Sequence, residues 1–382
     1  MDTSDTGISF DKDGICNHCS RYNTMIRPKL LENDQKNKIF HSIIEKIKIE
    51  GKNKKYDCLI GLSGGVDSSY LVYLAWIHNL RTIVVHFDNS WDSELAVKNI
   101  ENIITITGFD YYNYVVNWEE FKSLQLSYLK ASVVDIEVPT DLAIGSLIPK
   151  MAIKFDVKNI LSGMNAETES TMGLNWLYEY KMDVSNLRAI HNKYGSRPLK
   201  TYPYYSYFDQ FVIFSIKKVN TTLILNYTDS NYDNIKGILN KNFGWKDYGL
   251  KHGESIFTKF YQLYILPKKF GIDKRRAHLS DLINSKQIKR SLALNKLDAP
   301  FYDDLLEEKS QYDYVINKLG LSANEFEAIM ELPIKSHYDF PYMLPHGNFI
   351  IRWFLNTVYS LYKIIKWIKL NIMRFMGATD ER

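Results

Sequence analysis

Cysteine is nearly absent from this sequence: Cys16, Cys19 and Cys58 are the only three in 382 residues. Three thiols cannot build a disulfide framework. No run of about 18 uncharged apolar residues occurs, so no membrane-spanning helix is expected. The N-terminus carries no apolar leader, from which a cytoplasmic chain is expected. Charge of one sign is missing as well: 48 basic against 44 acidic residues leave only +4, too little to argue for a nucleic-acid partner. There is no internal repeat and no low-complexity linker. What remains, 45% hydrophobic and 24% charged, is the composition of a folded chain with room for one large domain or two ordinary ones. The 27 Tyr, 19 Phe and 7 Trp fit a sugar or nucleotide binder, but a Lys- and Asn-rich chain of this kind reflects base composition as readily.

From residue 56 to about 162 short β-branched runs alternate with helix-length segments. Strands are expected at 56–62, 82–87, 110–116 and 157–162, and helices at 67–79, 91–106, 117–130 and 141–156. That alternation predicts an α/β fold with a parallel sheet covered on both faces. Ligands in such folds sit beyond the carboxyl ends of the strands. Ahead of this unit, residues 28–50 read as a polar helix after Pro28, and residues 1–27 as a loop-rich knuckle around Cys16-Asn17-His18-Cys19. Beyond it the chain is irregular and then mainly helical. The organisation expected is 1–50 knuckle and helix, 51–200 nucleotide domain, 201–345 helical substrate region and 346–382 tail.

The first strand ends in Ser63-Gly64-Gly65-Val66-Asp67-Ser68-Ser69. Paired glycines let backbone N–H groups approach an anion, and a helix start adds free donors and partial positive charge. Ser63, Ser68 and Ser69 supply hydroxyls. Asp67 would repel bare phosphate, which implies a bridging Mg2+. The lysine of a Walker loop is missing, so γ-phosphoryl transfer is not the chemistry expected.

The strand–SGGVDSS–helix order resembles the PP-loop of the ATP pyrophosphatases, whose core is of the adenine nucleotide alpha hydrolase-like (HUP) type. That resemblance implies ATP cleavage to AMP and pyrophosphate, with Ser63, Gly64, Gly65, Asp67, Ser68 and Ser69 at the leaving pyrophosphate. It implies further that His86, Phe87 and Asp88, ending the second strand, receive adenine. A second nucleotide-facing loop is implied at 162–169, with Gly163, Asn165 and Glu167. A tRNA thiolase would need a cysteine in these loops; Cys58 lies inside a strand and reads as a buried hydrophobe. A glutamine-hydrolysing chain would need its own nucleophile, and none is apparent, so any ammonia must come from another subunit.

The segment GWKDYGLKHGESIFTKFYQLYILPKKFGIDKRRAHLSDLI, residues 244–283, and FDKDGICNHC at 10–19 together resemble the N-acetyl sugar amidotransferases of lipopolysaccharide and surface-glycan biosynthesis, the WbpG- and PseA-like proteins. The likeness extends over most of residues 1–340. It implies conversion of the acetamido group of a nucleotide-linked (UDP) amino sugar or uronic acid to an acetamidino group, with ATP, Mg2+ and ammonia from HisH-like glutaminase and HisF-like partners. Lys251, His252 and Glu254 place a cation, a titratable ring and a carboxylate within one turn; His252 or Glu254 is a general-base candidate. Lys268, Lys269, Arg275 and Arg276 form a basic cluster suited to phosphates, Lys268 and Lys269 being assigned to substrate and the arginines to the nucleotide. Asp141, at a helix start, is a candidate for the sugar or Mg2+, or an N-cap.

Cys16 and Cys19 have the spacing of half a zinc site. The resemblance implies an earlier Cys-x-x-Cys that this sequence does not contain, leaving a metal-free pair or Zn2+ completed by His18 or another chain. Residues 349–376 hold five basic residues and no acidic one and read as a basic amphipathic helix, for an anionic membrane surface, the core or a partner. A homodimer is also allowed. Two other readings stay open: a tRNA-modifying PP-loop enzyme and a non-catalytic nucleotide-sugar scaffold.

Overall fold

The computed structural model describes residues 1–342 apart from 30, 174, 175, 177–179, 229, 230 and 250. The tail helix expected at 349–376 lies outside the described residues. Five strands form one parallel sheet: β1 (Cys58–Gly61), β2 (Thr82–Asp88), β3 (Asp110–Val115), β4 (Asn159–Leu161) and β5 (Asn220–Thr222), in the order β3-β2-β1-β4-β5. The chain runs outward from β1 to β3 and then returns to the other side of β1. The order therefore reverses between β1 and β4, and a crevice opens there beyond the strand ends.

Alternate strand residues feed two cores. Leu59, Ile83, Val85, Phe87 and Ile160 face helices Trp118–Ala131 and Val138–Lys154 and the C-terminal helices, through Phe121, Leu142, Phe260, Val315 and Phe326. Cys58, Ile60, Leu62, Val84 and Leu161 face helices Asn33–Gly51, Val66–Ile77, Glu94–Thr107 and Tyr232–Phe243, through Ile44, Leu71, Ile103 and Leu239. This is the period-two pattern of a sheet covered on both sides. Among the described residues no helix is long and apolar enough to cross a membrane.

The four expected strands and the helices between them are present, with ends moved by a few residues. Two differences have physical causes. Pro28 lies in a 3-10 turn (Arg27–Lys29) and the helix begins only at Asn33, with Asp34 in its first turn, where negative charge suits the helix dipole. Strand β5, Asn-Thr-Thr, carries no apolar signal; its pairing with β4 rather than its own side chains makes it a strand.

Candidate active site

The SGGVDSS turn stands at the reversal point, leading from β1 into helix Val66–Ile77. Gly64 has φ +81°, and a Cβ there would lie 2.8 Å from the Ala96 carbonyl oxygen, so only glycine fits. The loop is braced internally. Ser63 N–H donates to Ser68 Oγ at 3.2 Å, and Gly65 N–H to Ser63 Oγ at 3.3 Å. Ser69, in contrast, points its hydroxyl into the protein, fully buried and without a partner among the described residues.

Asp67 faces the loop after β4. Gly163 permits this, since a Cβ there would already stand 3.3 Å from Asp67 Cβ. Asn165 Nδ2 lies 3.4 Å from Asp67 Oδ1, and Tyr232 Oη donates to both carboxylate oxygens at 3.1 and 2.9 Å. Lys251 Nζ stands 2.9 Å from Glu169 and 4.0 Å from Asp67. It also donates to the hydroxyl of Thr168 at 3.2 Å. Burial raises the Asp67 carboxyl above its usual range, against the pull of Lys251. A cavity of about 10 Å3 opens between Asp67, Tyr70, Asn165 and Tyr232, room for about one water.

The Lys251–Glu254 segment is carried over the loop by contacts at both ends. Before it, Trp245 Nε1 donates to the Gly64 carbonyl at 2.9 Å, and the Asn99 side chain pairs with both backbone groups of Lys246 at 2.9 Å. After it, Ser93 N–H donates to the Glu254 carbonyl and Ile256 N–H to that of Trp91, both at 2.8 Å. Between these anchors His252 takes a left-handed backbone, φ +63°, uncommon for a side-chain-bearing residue. Its Nδ1 lies 3.9 Å from Glu254 Oε1. Burial works against ionisation of Glu254, but His252 and Ser63 outweigh it and hold the carboxyl below its usual range. The hydroxyl of Ser63 stands 3.3 Å from Glu254 Oε1, while Oε2 is buried without a partner among the described residues. Tyr248 Oη accepts the N–H of Val66 at 3.0 Å. A phenol and a carboxylate thus hold two of the loop's donors.

Other expected residues lie elsewhere. His86 is buried, its two ring nitrogens bonded to the Leu62 carbonyl and Asp92 at 2.7 and 3.0 Å. Burial lowers its pKa, but Asp92 prevails and raises it. Phe87 packs in the core against Tyr114 and Phe121, and the Asp88 carboxylate accepts the N–H of Ser90. Glu167 pairs with Lys36 at 2.5 Å, tying helix Asn33–Gly51 to the β4 loop. Lys268 pairs with Glu308 at 2.6 Å, and Lys269 donates to the carbonyls of Ile329, Met330 and Leu332. Arg275 holds Asp273 and the carbonyls of Ala299 and Leu297, and Arg276 pairs with Asp2. The contacts of these four basic residues run to structure rather than to the loop. Asp141 pairs with Lys181 at 2.6 Å.

In the knuckle, His18 Nε2 bonds Asp5 at 2.6 Å, and Cys16 Sγ accepts the N–H of Cys19. With His18 so engaged, two thiols fall short of a zinc ligand set, and no group of three or more such donors stands together among the described residues. Burial pushes the Cys58 thiol up to about 12, which removes it as a nucleophile. Tyr232 lies outside every motif; Glu169 falls in the 162–169 loop and Tyr248 and His278 fall within 244–283, with nothing in their local sequence to mark them as site residues. The His278 ring stands 6.2 Å from that of Tyr232, its Nδ1 without a hydrogen-bond partner among the described residues. Burial, with Lys251 and His252 nearby, lowers it to about 3.

Residues 254–350 match the family described as LPS biosynthesis protein WbpG-like, C-terminal domain, which bears out the likeness carried by 244–283. No curated protein matches the chain. Among solved structures, NMN synthetase from Francisella tularensis aligns at 12% identity over 59% of this chain and 92% of that one, with a TM-score of 0.30. The NH3-dependent NAD synthetase from Campylobacter jejuni aligns at 16% identity over 56% and 99%, with a TM-score of 0.29.

Proposed function

Because the chain carries the C-terminal domain of WbpG-like lipopolysaccharide biosynthesis proteins behind a PP-loop sheet, we propose that it is an ATP-dependent amidotransferase. It converts the acetamido group of a nucleotide-linked (UDP) amino sugar or uronic acid to an acetamidino group, with ammonia from a separate HisH-like glutaminase and HisF-like partner. The observation that carries this reading is the meeting of Asp67 with the β4 loop and Lys251 at the point where strand order reverses.

In this mechanism the amide oxygen attacks the α-phosphorus of ATP, the bond to pyrophosphate breaks, and the amide N–H proton is released. Ammonia then adds to the O-adenylyl imidate carbon and AMP departs, leaving the amidine. The loop N–H groups and the hydroxyls of Ser63 and Ser68 receive pyrophosphate once Tyr248 and Glu254 release them. Lys251 stabilises the charge that develops on the leaving group. Asp67 and Glu169 set two carboxylates against one ammonium, a donor set suited to Mg2+ beside phosphate oxygens; the ion, when bound, would neutralise phosphate charge. Glu254 or His252 takes the proton that the nitrogen of ammonia loses once it has added to the imidate carbon.

The test is product analysis with ATP, Mg2+, ammonium chloride and a panel of UDP-N-acetyl sugars and uronic acids. Sugar-dependent AMP and pyrophosphate, with one amide oxygen replaced by NH in the mass spectrum, is the expected result. Formation of ADP and phosphate overturns it.

A further inference from the structure

Both ring nitrogens of His86 meet an acceptor. Nδ1 stands 2.7 Å from the Leu62 carbonyl oxygen and Nε2 3.0 Å from Asp92 Oδ2, and only 5% of the residue is exposed. A carbonyl oxygen has no proton to give and neither has a carboxylate, whereas a neutral imidazole carries a single N–H. With one ring proton, one of the two contacts would set lone pair against lone pair. Building on the PP-loop reading, we propose that His86, held as an imidazolium, is a positioning residue for the pyrophosphate loop: it locks the Leu62–Ser63 peptide to the segment that bears Glu254.

Leu62 is the last residue before the loop. Its N–H donates to the Val85 carbonyl at 2.9 Å, and its own carbonyl takes the His86 ring. The second strand therefore holds both backbone groups of Leu62, one by main chain and one by a side chain that extends the ladder past the end of β1. The peptide so fixed is the one whose N–H, on Ser63, meets Ser68 Oγ at 3.2 Å. A cation at the carbonyl end polarises that peptide and strengthens its N–H as a donor. On its other side the ring holds Asp92, which forms an antiparallel bridge with Ser255. The next N–H, that of Ser93, donates to the Glu254 carbonyl at 2.8 Å, and Glu254 Oε1 returns to within 3.3 Å of Ser63 Oγ. The contacts close on themselves, with His86 as the bridge between the loop and Asp92.

Position 86 alternates with Val85 and Phe87 and so lies on the Val84 face of the sheet. Of the four helices on that face only Asn33–Gly51 buries a charged side chain among the described residues, Lys36, and Glu167 pairs it. Asp92 acts on the ring directly, Asp88 more weakly from the end of β2, and Tyr111 on β3 stands near both carboxylates. Burial disfavours the charged ring, but Asp92 outweighs it and lifts the pKa above the ordinary 6.5. The second ring proton is thus present below 6.5 and lost as pH rises through the raised value.

The experiment joins ring-nitrogen NMR to calorimetric binding of pyrophosphate with Mg2+, on the intact chain, between about pH 6 and pH 9. One histidine ring, missing from the spectrum of H86N, is expected to carry a proton on each nitrogen near pH 6.5. Pyrophosphate affinity should fall about tenfold as the second proton is lost. H86N keeps an amide donor toward Leu62 but cannot titrate, and should show no such step. D92N removes the carboxylate and should move the step to lower pH, while H86L weakens pyrophosphate about tenfold or more. Circular dichroism checks that each variant is folded. A single ring proton near pH 6.5 overturns the proposal, as does a step that D92N leaves in place, or unchanged pyrophosphate affinity in folded H86L. Pyrophosphate binding absent at every pH, with both ring nitrogens protonated, strikes the PP-loop reading and this proposal with it.

Discussion

Tyr232 lends one hydroxyl to both oxygens of Asp67, at 3.1 and 2.9 Å, from a helix 165 positions away in sequence. The bond fixes the carboxylate toward the β4 loop, where Asn165 and Lys251 also face it. A hydrogen bond to a charged group contributes about 1.5–3 kcal/mol. Y232F is therefore expected to slow pyrophosphate release roughly ten- to a hundredfold and to raise the Mg2+ concentration needed for half-maximal rate. D67N should abolish release. A Y232F enzyme with an unchanged Mg2+ dependence would show that the phenol packs beside Asp67 without positioning it.

The phenol of Tyr248 occupies the N–H of Val66 at 3.0 Å, a donor that an anion at the helix start would use. Removing that internal occupant has opposite effects on the free and bound protein. Y248F should lower the melting temperature of the free chain by a few degrees and enlarge the upward shift produced by ATP or pyrophosphate. Differential scanning fluorimetry with and without pyrophosphate reads both. A smaller ligand shift in Y248F would mean that the phenol contacts the anion instead of giving way to it.

Lys251 carries a pH consequence. Burial raises the Asp67 carboxyl, and Lys251 is the largest influence holding it down. In the proposed mechanism Asp67 acts as an anion, so its contribution is present above its pKa and lost as pH falls through it. Taking away the ammonium in K251M raises that pKa further, all the more because Glu169 loses its partner at 2.9 Å. The acid limb of the kcat/KM profile should therefore move to higher pH in K251M and stay near its original place in K251R. A profile that only falls in height, with the limb unmoved, sinks this account of Lys251.

The sheet was readable because buried parallel strands write themselves as β-branched runs, and SGGVDSS because its glycines answer a local backbone need, seen at Gly64 with φ +81°. Lys251, His252 and Glu254 were also legible, being close in sequence. Residues brought in from a distance were not. Tyr232 and His278 acquire their place only when helices Tyr232–Phe243 and Arg275–Asn284 pack beside the loops. Charge misled for the opposite reason: a lysine's partner is invisible in sequence, so Lys268 and Arg275 read as phosphate ligands although Glu308 and Asp273 hold them.

Lys269 makes that distinction measurable. Its ammonium gathers the carbonyls of Ile329, Met330 and Leu332 at 3.0, 2.8 and 2.8 Å, at the end of helix Ala323–Glu331. A cation there satisfies orphan carbonyls and complements the helix dipole. K269M should cost about 1–2 kcal/mol in a urea titration and leave ATP and sugar binding unchanged. Lys268 has a half-exposed pair with Glu308 and stands over the Tyr264 ring at 3.7 Å, so K268M should cost no more than about 1–2 kcal/mol. If K269M instead weakened sugar binding at unchanged stability, the lysine would belong to the substrate, as its place in the basic cluster first suggested, and its three carbonyl contacts would have to be given up when sugar binds.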